Sequence, residues 1–469
     1  MSVVYPMRHV RHIHLIGIGG SGMCGIAEVL INQGYHVSGS DLQDSQSTRR
    51  LRQLGIQVFN EHAAENVQNA DVVVISSAIS NENVELVSAH EHLVPVINRA
   101  EMLGELMRHR YGIAVAGTHG KTTTTSLITS IFQSAGLDPT YVIGGLLKSE
   151  DRNAGLGLSK YIIAEADESD ASFLYLKPML AVITNIDQDH MSTYDHDVEL
   201  LSSTFEEFIT RLPFYGAVVV CIDDEGIQQI ASRITRPLLT YGFNESADFR
   251  AINLDTSKQT WRYTCLRPGG LAPLDIELNL PGNQNVLNSL AAIATATDER
   301  IDDRFIVEGL ANFHGVGRRF EISEVQLAGH PFTMVDDYGH HPTEISYVVE
   351  TANLLWPDRK VAMVYQPHRY TRTRDLFHDF VDVLGRVDRL ILLETYGAGE
   401  SPIEGANVCD LAKFIREFHG KEVAICENST QALQTLEKNL ERNDLILVQG
   451  AGSVSEVSEL LKSPMISPA

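Results

Sequence analysis

The chain has 469 residues, of which 43% are hydrophobic and 21% are charged, and its formal net charge is -24. At about 150 residues per domain, this length predicts about three domains. With 61 acidic residues against 37 basic ones, we expect no nucleic-acid partner and no binding to anionic lipid. No apolar run reaches the ~18 residues that span a bilayer, so no membrane insertion is expected.

The N-terminal stretch lacks the pattern of a cleavable signal, because its apolar residues lead directly into a glycine loop. The five cysteines are widely spaced, and none forms a C-x-x-C pair. This usage fits a reducing compartment and predicts no zinc site. A cytoplasmic protein is therefore expected.

The first hundred residues repeat a strand, a loop and a helix. Hydrophobic spacing predicts a strand over 12–16, a glycine loop over 17–22 and a helix over 23–32, with further strands at 35–41 and 71–77. Buried strands that alternate with helices are typical of a parallel sheet. The pattern predicts a Rossmann-like α/β domain.

The glycine loop carries the spacing G-x-G-x-x-G at Gly17, Gly19 and Gly22, and Asp41 follows about 20 residues later. That spacing makes a nicotinamide cofactor one candidate ligand. A UDP-sugar fits equally well, because any ligand with a diphosphate and a ribose can use a helix N-terminus and a carboxylate.

A second glycine loop follows the predicted strand that begins at 113. The sequence GTHGKTTTT spans 117–125, and it places Lys121 and Thr122 at the start of a helix predicted over 122–135. Val115 stands where the commonest phosphate-loop pattern has glycine, so a tighter loop is expected. An ammonium and a hydroxyl at a helix N-terminus suit a nucleotide phosphate and its Mg²⁺, which favours ATP.

Polar residues lie at the ends of the next predicted strands in this region. An apolar strand that begins at 161 runs into Glu165, the favoured metal ligand, and a strand from 180 leads to His190, a candidate ligand of a second divalent ion. A helix beginning near 282 carries Asn285, which suits adenine or phosphate contacts, although helix capping would also explain it.

The last third of the sequence returns to alternating strands and helices. Strands are predicted at 361–365, 390–393, 423–425 and 445–448. Arg318, Arg319, Arg369 and Arg372 lie near strand ends, which favours binding of carboxylate and phosphate groups over surface ion pairs.

Three ordered blocks of the sequence resemble the Mur ligases of peptidoglycan synthesis. The blocks are GIGGSGMCGIAEVL, GTHGKTTTT, and DDYGHHPTEI followed by QPHRYTRT, and the resemblance spans essentially the whole chain. It implies three α/β domains: a UDP-binding Rossmann-like domain over 1–107, a P-loop ATPase domain over 108–314, and a Rossmann-like, amino-acid-binding domain over 315–469.

The same resemblance assigns the site residues. It implies that ATP contacts Gly117, Thr118, His119, Gly120, Lys121, Thr122, Thr123, Asn285, Asn288 and Arg319. It implies that Mg²⁺ or Mn²⁺ is held by Thr122, Glu165 and His190. The UDP-sugar would contact Gly17, Gly19, Gly20, Ser21, Gly22, Asp41, Ser76 and Ser77. The amino acid would contact Tyr338, His340, Arg369 and Arg372. The catalytic set would be Lys121, Glu165, His190 and His340. Apart from the resemblance, we choose His340 as the base for the amine, because an imidazole can accept a proton near neutral pH and His340 lies beside the predicted alanine site.

Within the family, the resemblance implies an enzyme that joins L-alanine to the lactyl carboxylate of UDP-N-acetylmuramate through an acyl phosphate at the expense of ATP. A monomer or a weak homodimer is expected. One alternative is a ligase that attaches a recycled tripeptide to the same UDP-sugar. A second alternative, from another class, is a nicotinamide-dependent dehydrogenase, which would leave GTHGKTTTT unexplained.

Overall fold

The computed structural model describes residues 7–76, 79–108, 110–148 and 152–463. Three β-sheets with flanking helices account for its regular structure, as the α/β prediction requires. Among the described residues, no helix is both long and apolar enough to cross a membrane.

The first sheet is wholly parallel and has the strand order β3-β2-β1-β4-β5. This order confirms the predicted Rossmann-like domain. Its strands are β1 (His12–Ile16), β2 (His36–Ser40), β3 (Gln57–Phe59), β4 (Val72–Ile75) and β5 (Val96–Asn98). Its helices are α1 (Ser21–Asn32), α2 (Gln46–Gln53), α3 (Val84–Glu91) and α4 (Arg99–Met107), with a 3₁₀ turn at Ala64–Val67.

The second sheet has ten strands. They are β6 (Tyr111–Ala116), β7 (Thr140–Leu147), β8 (Arg152–Gly155), β9 (Tyr161–Glu165), β10 (Leu180–Ile183), β11 (Ala217–Cys221), β12 (Leu238–Gly242), β13 (Phe249–Asp255), β14 (Trp261–Leu266) and β15 (Leu274–Leu278). The strand order is β15-β14-β13-β12-β11-β10-β6-β9-β7-β8. Parallel pairing of β6 with both β9 and β10 brings the ends of these three strands to one edge.

Helices of the central region follow its strands in the chain. They are α5 (Lys121–Ser134), α6 (Val198–Thr210), α7 (Glu225–Ala231), α8 (Asn283–Asp298) and α9 (Asp303–Ala311), with 3₁₀ turns at Ser172–Tyr175 and Met191–Tyr194. The predicted phosphate-loop helix is confirmed as α5, which begins one residue earlier than expected, at Lys121.

The third sheet has the order β16-β17-β21-β18-β19-β20. Its strands are β16 (Glu321–Leu327), β17 (His330–Asp337), β18 (Val361–Tyr365), β19 (Arg389–Leu393), β20 (Val423–Cys426) and β21 (Leu445–Gln449). The four strands predicted in this region are confirmed, whereas the antiparallel pairing of β16 with β17 was not anticipated. Its helices are α10 (Pro342–Leu355), α11 (Tyr370–Asp375), α12 (Phe377–Leu384), α13 (Val408–His419), α14 (Ser429–Asn439) and α15 (Ser455–Lys462).

Strand β18 illustrates why the sheets are covered on both faces. Val361, Met363 and Tyr365 pack into one buried cluster with α10, α12 and α13, and the alternating Ala362 and Val364 pack into another with α14 and α15. Successive side chains of a strand point to opposite faces, so a continuous apolar run needs helices on both sides.

The described chain forms two compact units. The first contains the first two sheets, and the second contains the third sheet together with 255–261 and 279–286. The domain limits at 107 and 314 stay predictions.

Candidate functional site

The phosphate loop joins β6 to α5 over 117–120. Gly117 and Gly120 have φ angles of 123° and 80°, which side chains with a Cβ rarely adopt. A Cβ at Gly117 would also collide with Thr184 Oγ1, and one at Gly120 would lie 2.5 Å from Asn288 Oδ1. Both glycines are thus required by backbone conformation and by close neighbours, as the sequence pattern indicated.

Lys121 begins α5, and its ammonium lies within this loop. It donates to the carbonyls of Gly117 and Thr118 at 2.6 and 2.9 Å, and it pairs with the buried carboxylate of Glu168 at 2.8 Å. Burial alone would lower the pKa of Lys121, but the neighbouring carboxylates, Glu168 foremost, raise it above its ordinary value. The ammonium therefore carries a full charge near neutral pH.

Glu168 was not singled out from the sequence. Burial raises the pKa of its carboxyl to about 7, against the opposing attraction of Lys121. Its backbone carbonyl also accepts a hydrogen bond from the hydroxyl of Tyr194. The lysine of a nucleotide-binding P-loop contacts phosphate, so a phosphate bound by Lys121 would have to compete with this carboxylate.

Thr122 and Glu165 meet at the same edge, as predicted. The Thr122 hydroxyl donates to Glu165 Oε1 at 2.7 Å, and Glu165 Oε2 accepts from the backbone N–H of Gly144. A hydroxyl and a carboxylate are hard oxygen ligands of the kind that Mg²⁺ prefers, so this donor pair fits the implied metal.

The remaining loop residues are held by the end of β10 and by α8. His119 Nε2 lies 3.0 Å from Asp187 Oδ2, and the Thr118 hydroxyl donates to the carbonyl of Asp187 at 3.2 Å. Asn288 Oδ1 accepts from the Thr124 hydroxyl at 3.2 Å, so Asn288 lies beside the loop. Thr123 is buried in the first turn of α5.

Three predicted nucleotide-site residues make local contacts in the structure. His190 Nε2 lies 3.5 Å from Asp189 Oδ2, Asn285 donates to the carbonyl of Pro281 at 2.7 Å, and the Arg319 guanidinium stacks 5.1 Å from the ring centre of Tyr338. Their roles toward the metal and ATP stay predictions.

The first glycine loop lies between β1 and α1. Gly19 N–H donates to Asp41 Oδ2 at 2.9 Å, and Gln43 N–H donates to Asp41 Oδ1 at the same distance. A Cβ at Gly17 would lie 3.5 Å from Ser76 Oγ, so Ser76 lies at the loop. The Asp41 carboxylate thus closes the loop by accepting from the backbone N–H groups of Gly19 and Gln43.

The other predicted UDP-sugar contacts lie at the start of α1 or outside the described residues. Gly20 is the N-cap of α1 and has no side chain to cap the helix, and Ser21 is the first residue of that helix. Gly22 follows in the first turn. Ser77 lies outside the described residues.

The predicted amino-acid set gathers at the ends of β17 and β18. The rings of Tyr338 and His340 lie 5.6 Å apart, those of His340 and His368 lie 5.5 Å apart, and Arg372 donates to the carbonyl of His368 at 3.0 Å. Arg372 is buried, whereas Arg369 is partly exposed and lies 3.7 Å from Glu400 Oε1.

His368 and Asp337 were not assigned roles from the sequence. His368 stacks on Tyr396 with ring centres 5.4 Å apart, and the block QPHRYTRT already contained it. Asp337 accepts from the N–H groups of Gly339 and Phe320, and burial raises its pKa to about 6. Its position at the end of β17, before Tyr338, was the available signal.

Comparison with solved structures finds close relatives of the whole fold. The UDP-N-acetylmuramate-alanine ligase MurC of Thermotoga maritima is 28% identical over 97% of this chain and 98% of its own, with a TM-score of 0.80. A murein peptide ligase of Psychrobacter arcticus, 21% identical over 96% of this chain and 98% of its own, has a TM-score of 0.72.

The name of a third relative includes a tripeptide. The UDP-N-acetylmuramate:L-alanyl-gamma-D-glutamyl-meso-diaminopimelate ligase of Neisseria meningitides is 27% identical over 66% of this chain and all of its own, with a TM-score of 0.60.

Three family models match the chain in order. The catalytic domain of the Mur ligase family matches residues 12–111, the Mur ligase middle domain matches 115–296, and the Mur ligase glutamate ligase domain matches 318–452. Together they span most of the sequence and include both glycine loops and the C-terminal His and Arg set. The chain therefore belongs to the Mur ligase family.

Proposed function

We propose that this protein is the ligase that joins L-alanine to the lactyl carboxylate of UDP-N-acetylmuramate, with ATP cleaved to ADP and phosphate. As a Mur ligase, it is an ATP-dependent ligase of peptidoglycan synthesis that uses a nucleotide, a UDP-sugar and an amino acid. The choice of alanine is supported by the likeness to the Thermotoga maritima enzyme across nearly the full chain. A cytoplasmic location and a monomer or weak homodimer complete the proposal.

The observation that carries this proposal is the charge arrangement of the phosphate loop. Lys121 is charged and held among the carbonyls of Gly117 and Thr118 and the carboxylate of Glu168. When a γ-phosphate replaces Glu168 as its partner, the ammonium can offset the negative charge that accumulates during phosphoryl transfer. A dehydrogenase would have no use for this loop.

In the proposed first step, an oxygen of the lactyl carboxylate attacks the γ-phosphorus of ATP, and ADP leaves. The product is an acyl phosphate, so the unreactive carboxylate has gained phosphate as a leaving group. Lys121 orients the phosphate, and Thr122 and Glu165 would hold Mg²⁺, which supplies further charge neutralisation when bound.

In the second step, the uncharged amine of alanine attacks the acyl carbon. The tetrahedral intermediate collapses to the amide as phosphate departs, and the amine proton passes to a base. We assign the role of that base to His340, whose ring lies beside those of Tyr338 and His368. Arg372 and Arg369 would bind the alanine carboxylate.

The alternative substrate is a tripeptide, favoured by the likeness to the Neisseria meningitides ligase. Phosphate release should be measured with ATP, Mg²⁺ and UDP-N-acetylmuramate while L-alanine, L-serine, glycine and the tripeptide are supplied in turn. We expect L-alanine to give the highest kcat/KM, and omission of the UDP-sugar to abolish release. Preference for the tripeptide would replace the proposal, and release without UDP-sugar would refute it.

A further inference from the structure

The acidic segment after β9 makes three different contacts within four residues. Glu165 accepts from Thr122, and Glu168 pairs with Lys121, so both face the phosphate loop. Asp167 lies between them and accepts from Arg99 Nη2 at 2.9 Å. Arg99 begins α4, a helix of the first sheet, so one short segment connects two substrate loops.

Arg99 also packs directly on the first glycine loop. A Cβ built at Gly22 would lie 2.6 Å from Arg99 Nη1 and 3.2 Å from its Cδ. Because glycine has no Cβ, position 22 leaves space for the Arg99 guanidinium. The two terminal nitrogens have separate neighbours: Nη1 faces the loop, and Nη2 faces Asp167.

Both carboxylate oxygens of Asp167 accept hydrogen bonds. Oδ2 accepts from Arg99 Nη2, and Oδ1 accepts from the N–H of Ser169 at 3.1 Å. The Arg99 side chain is 21% exposed and that of Asp167 is 40% exposed, so the pair is half-buried.

We propose that Arg99 and Asp167 are positioning residues that couple occupancy of the first glycine loop to occupancy of the phosphate loop. The inference rests on the proposed function, because it takes the ligand of the first loop to be the UDP-sugar. A bound diphosphate fixes the guanidinium through Nη1, and the same rigid group then fixes Asp167 through Nη2.

Fixing Asp167 also fixes Glu165, two residues away, and with it the Thr122–Glu165 pair that would hold Mg²⁺ beside the nucleotide. Each ligand thereby favours binding of the other, since coupling between two sites is reciprocal. A lysine at position 99 would keep the positive charge, but a single ammonium cannot hold both neighbours as the planar fork of arginine does.

The test is a calorimetric titration of the full chain with a non-hydrolysable ATP analogue and Mg²⁺, with and without saturating UDP-N-acetylmuramate. In the unaltered protein, the UDP-sugar should tighten analogue binding by about fivefold or more. We call the dissociation constant of the analogue without UDP-sugar, divided by that with UDP-sugar, the coupling ratio. In Arg99→Lys and in Asp167→Asn the coupling ratio should fall to about one, as expected when the linkage is lost.

The matched control is Arg50→Lys. Arg50 pairs with Glu28 at 2.9 Å, its side chain is 24% exposed, and it belongs to α2 of the same sheet. This variant should keep the coupling ratio, because its pair does not include the acidic segment. Circular dichroism would check that each variant is folded.

A coupling ratio that survives both Arg99→Lys and Asp167→Asn would overturn the inference, as would a ratio of about one in the unaltered protein. A coupling ratio of about one in Arg50→Lys would also overturn it, since any change to the domain would then be enough to abolish the coupling. If the unaltered protein binds UDP-N-acetylmuramate and ligates alanine but shows no coupling, only the inference fails. If it does not bind the UDP-sugar at all, the proposed function fails as well.

Discussion

The two glycine loops have the same local design and different surroundings. Each follows a buried parallel strand and leads into a helix, α1 in one case and α5 in the other. In the first loop, the nearby acid Asp41 accepts from the loop's own backbone at Gly19. In the second, Lys121 faces the carboxylate of Glu168.

This difference explains how one backbone motif can serve two purposes. Backbone N–H groups at a helix N-terminus attract any phosphate, whether it is bound or transferred. Transfer of a phosphoryl group additionally needs a positive charge held in place near the developing negative charge. In the second loop that charge is Lys121. The first loop has no such lysine contact described for it, and its hydrogen bond from Gly19 to Asp41 suits it for holding a ligand in place.

The largest effect should come from removing the charge that distinguishes the second loop. Lys121→Ala should lower kcat by roughly two to three orders of magnitude, because the ammonium acts on charge that develops in the transition state. Phosphate release at saturating substrates measures this loss. Binding of UDP-N-acetylmuramate should be retained, and a folded variant with near-normal turnover would contradict the role given to Lys121.

The next effect should come from filling the first loop. A Cβ at Gly19 would lie 2.8 Å from both Asp41 Oδ2 and Thr48 Cγ2, so Gly19→Ala must displace the closing acid. Overpacking of this size corresponds to roughly one to two decades in affinity for the UDP-sugar. Calorimetry with UDP-N-acetylmuramate and with ATP would measure both ligands.

Gly20→Ala provides the graded comparison. The nearest atom to a Cβ there is the Gly17 carbonyl oxygen at 3.4 Å, an ordinary contact distance. Its effect on UDP-sugar binding should therefore be clearly smaller than that of Gly19→Ala. Equal effects of the two variants, or a matching loss of ATP affinity, would mean that the contact with Asp41 is not what shapes the loop.

A third change tests whether side-chain geometry also selects the ligand at the predicted amino-acid site, which contains Arg372. Arg372→Lys keeps the charge but loses the planar fork, so the KM for L-alanine should rise by roughly one to two decades and the KM for ATP far less. Steady-state kinetics with each substrate varied separately would measure this. An unchanged KM for alanine would move the carboxylate contact to Arg369.

The smallest effect concerns stability and pH. Glu168 has its pKa raised by burial to about 7 in the folded chain, so the folded state binds this proton more tightly than the unfolded state does. The free energy of unfolding should therefore fall as pH rises from about 4.5 to 7, and then level off with respect to this group.

Glu168→Gln should remove that part of the slope, because glutamine does not titrate. Urea unfolding of the two proteins at several pH values would measure the difference, with Glu394→Gln as a control on an acid whose side chain lies outside the phosphate loop. An identical slope in the Glu168→Gln variant and the unaltered protein would mean that Glu168 is already ionised in the folded state.

Several site residues could be predicted because their chemistry is local in sequence. Gly117, Gly120, Lys121 and Thr122 lie within six positions, and the structure gathers them as the motif requires. Glu165 was predicted because it ends a strand beside the loop. Glu168 could not be separated from its acidic neighbours, because side-chain direction after a strand end follows no period.

Asp41 shows the limit of spacing rules. Its distance from the glycine loop predicted a contact with the ligand, and the structure shows that its carboxylate also accepts from the N–H of Gly19. Arg99 shows a different limit, because it lies 68 residues from Asp167 and carries no motif. Only the packing of α4 against the glycine loop reveals it.

The sequence by itself determined the Rossmann-like character of the first sheet, the phosphate loop and four of the six strands of the third sheet. These features depend on hydrophobic period, glycine conformation and residues close in the chain. Tertiary structure alone decided which carboxylate meets Lys121, how β16 pairs with β17, and that Arg99 joins Asp167 to Gly22. Such contacts link residues distant in sequence, and their partners are set by how strands and helices pack.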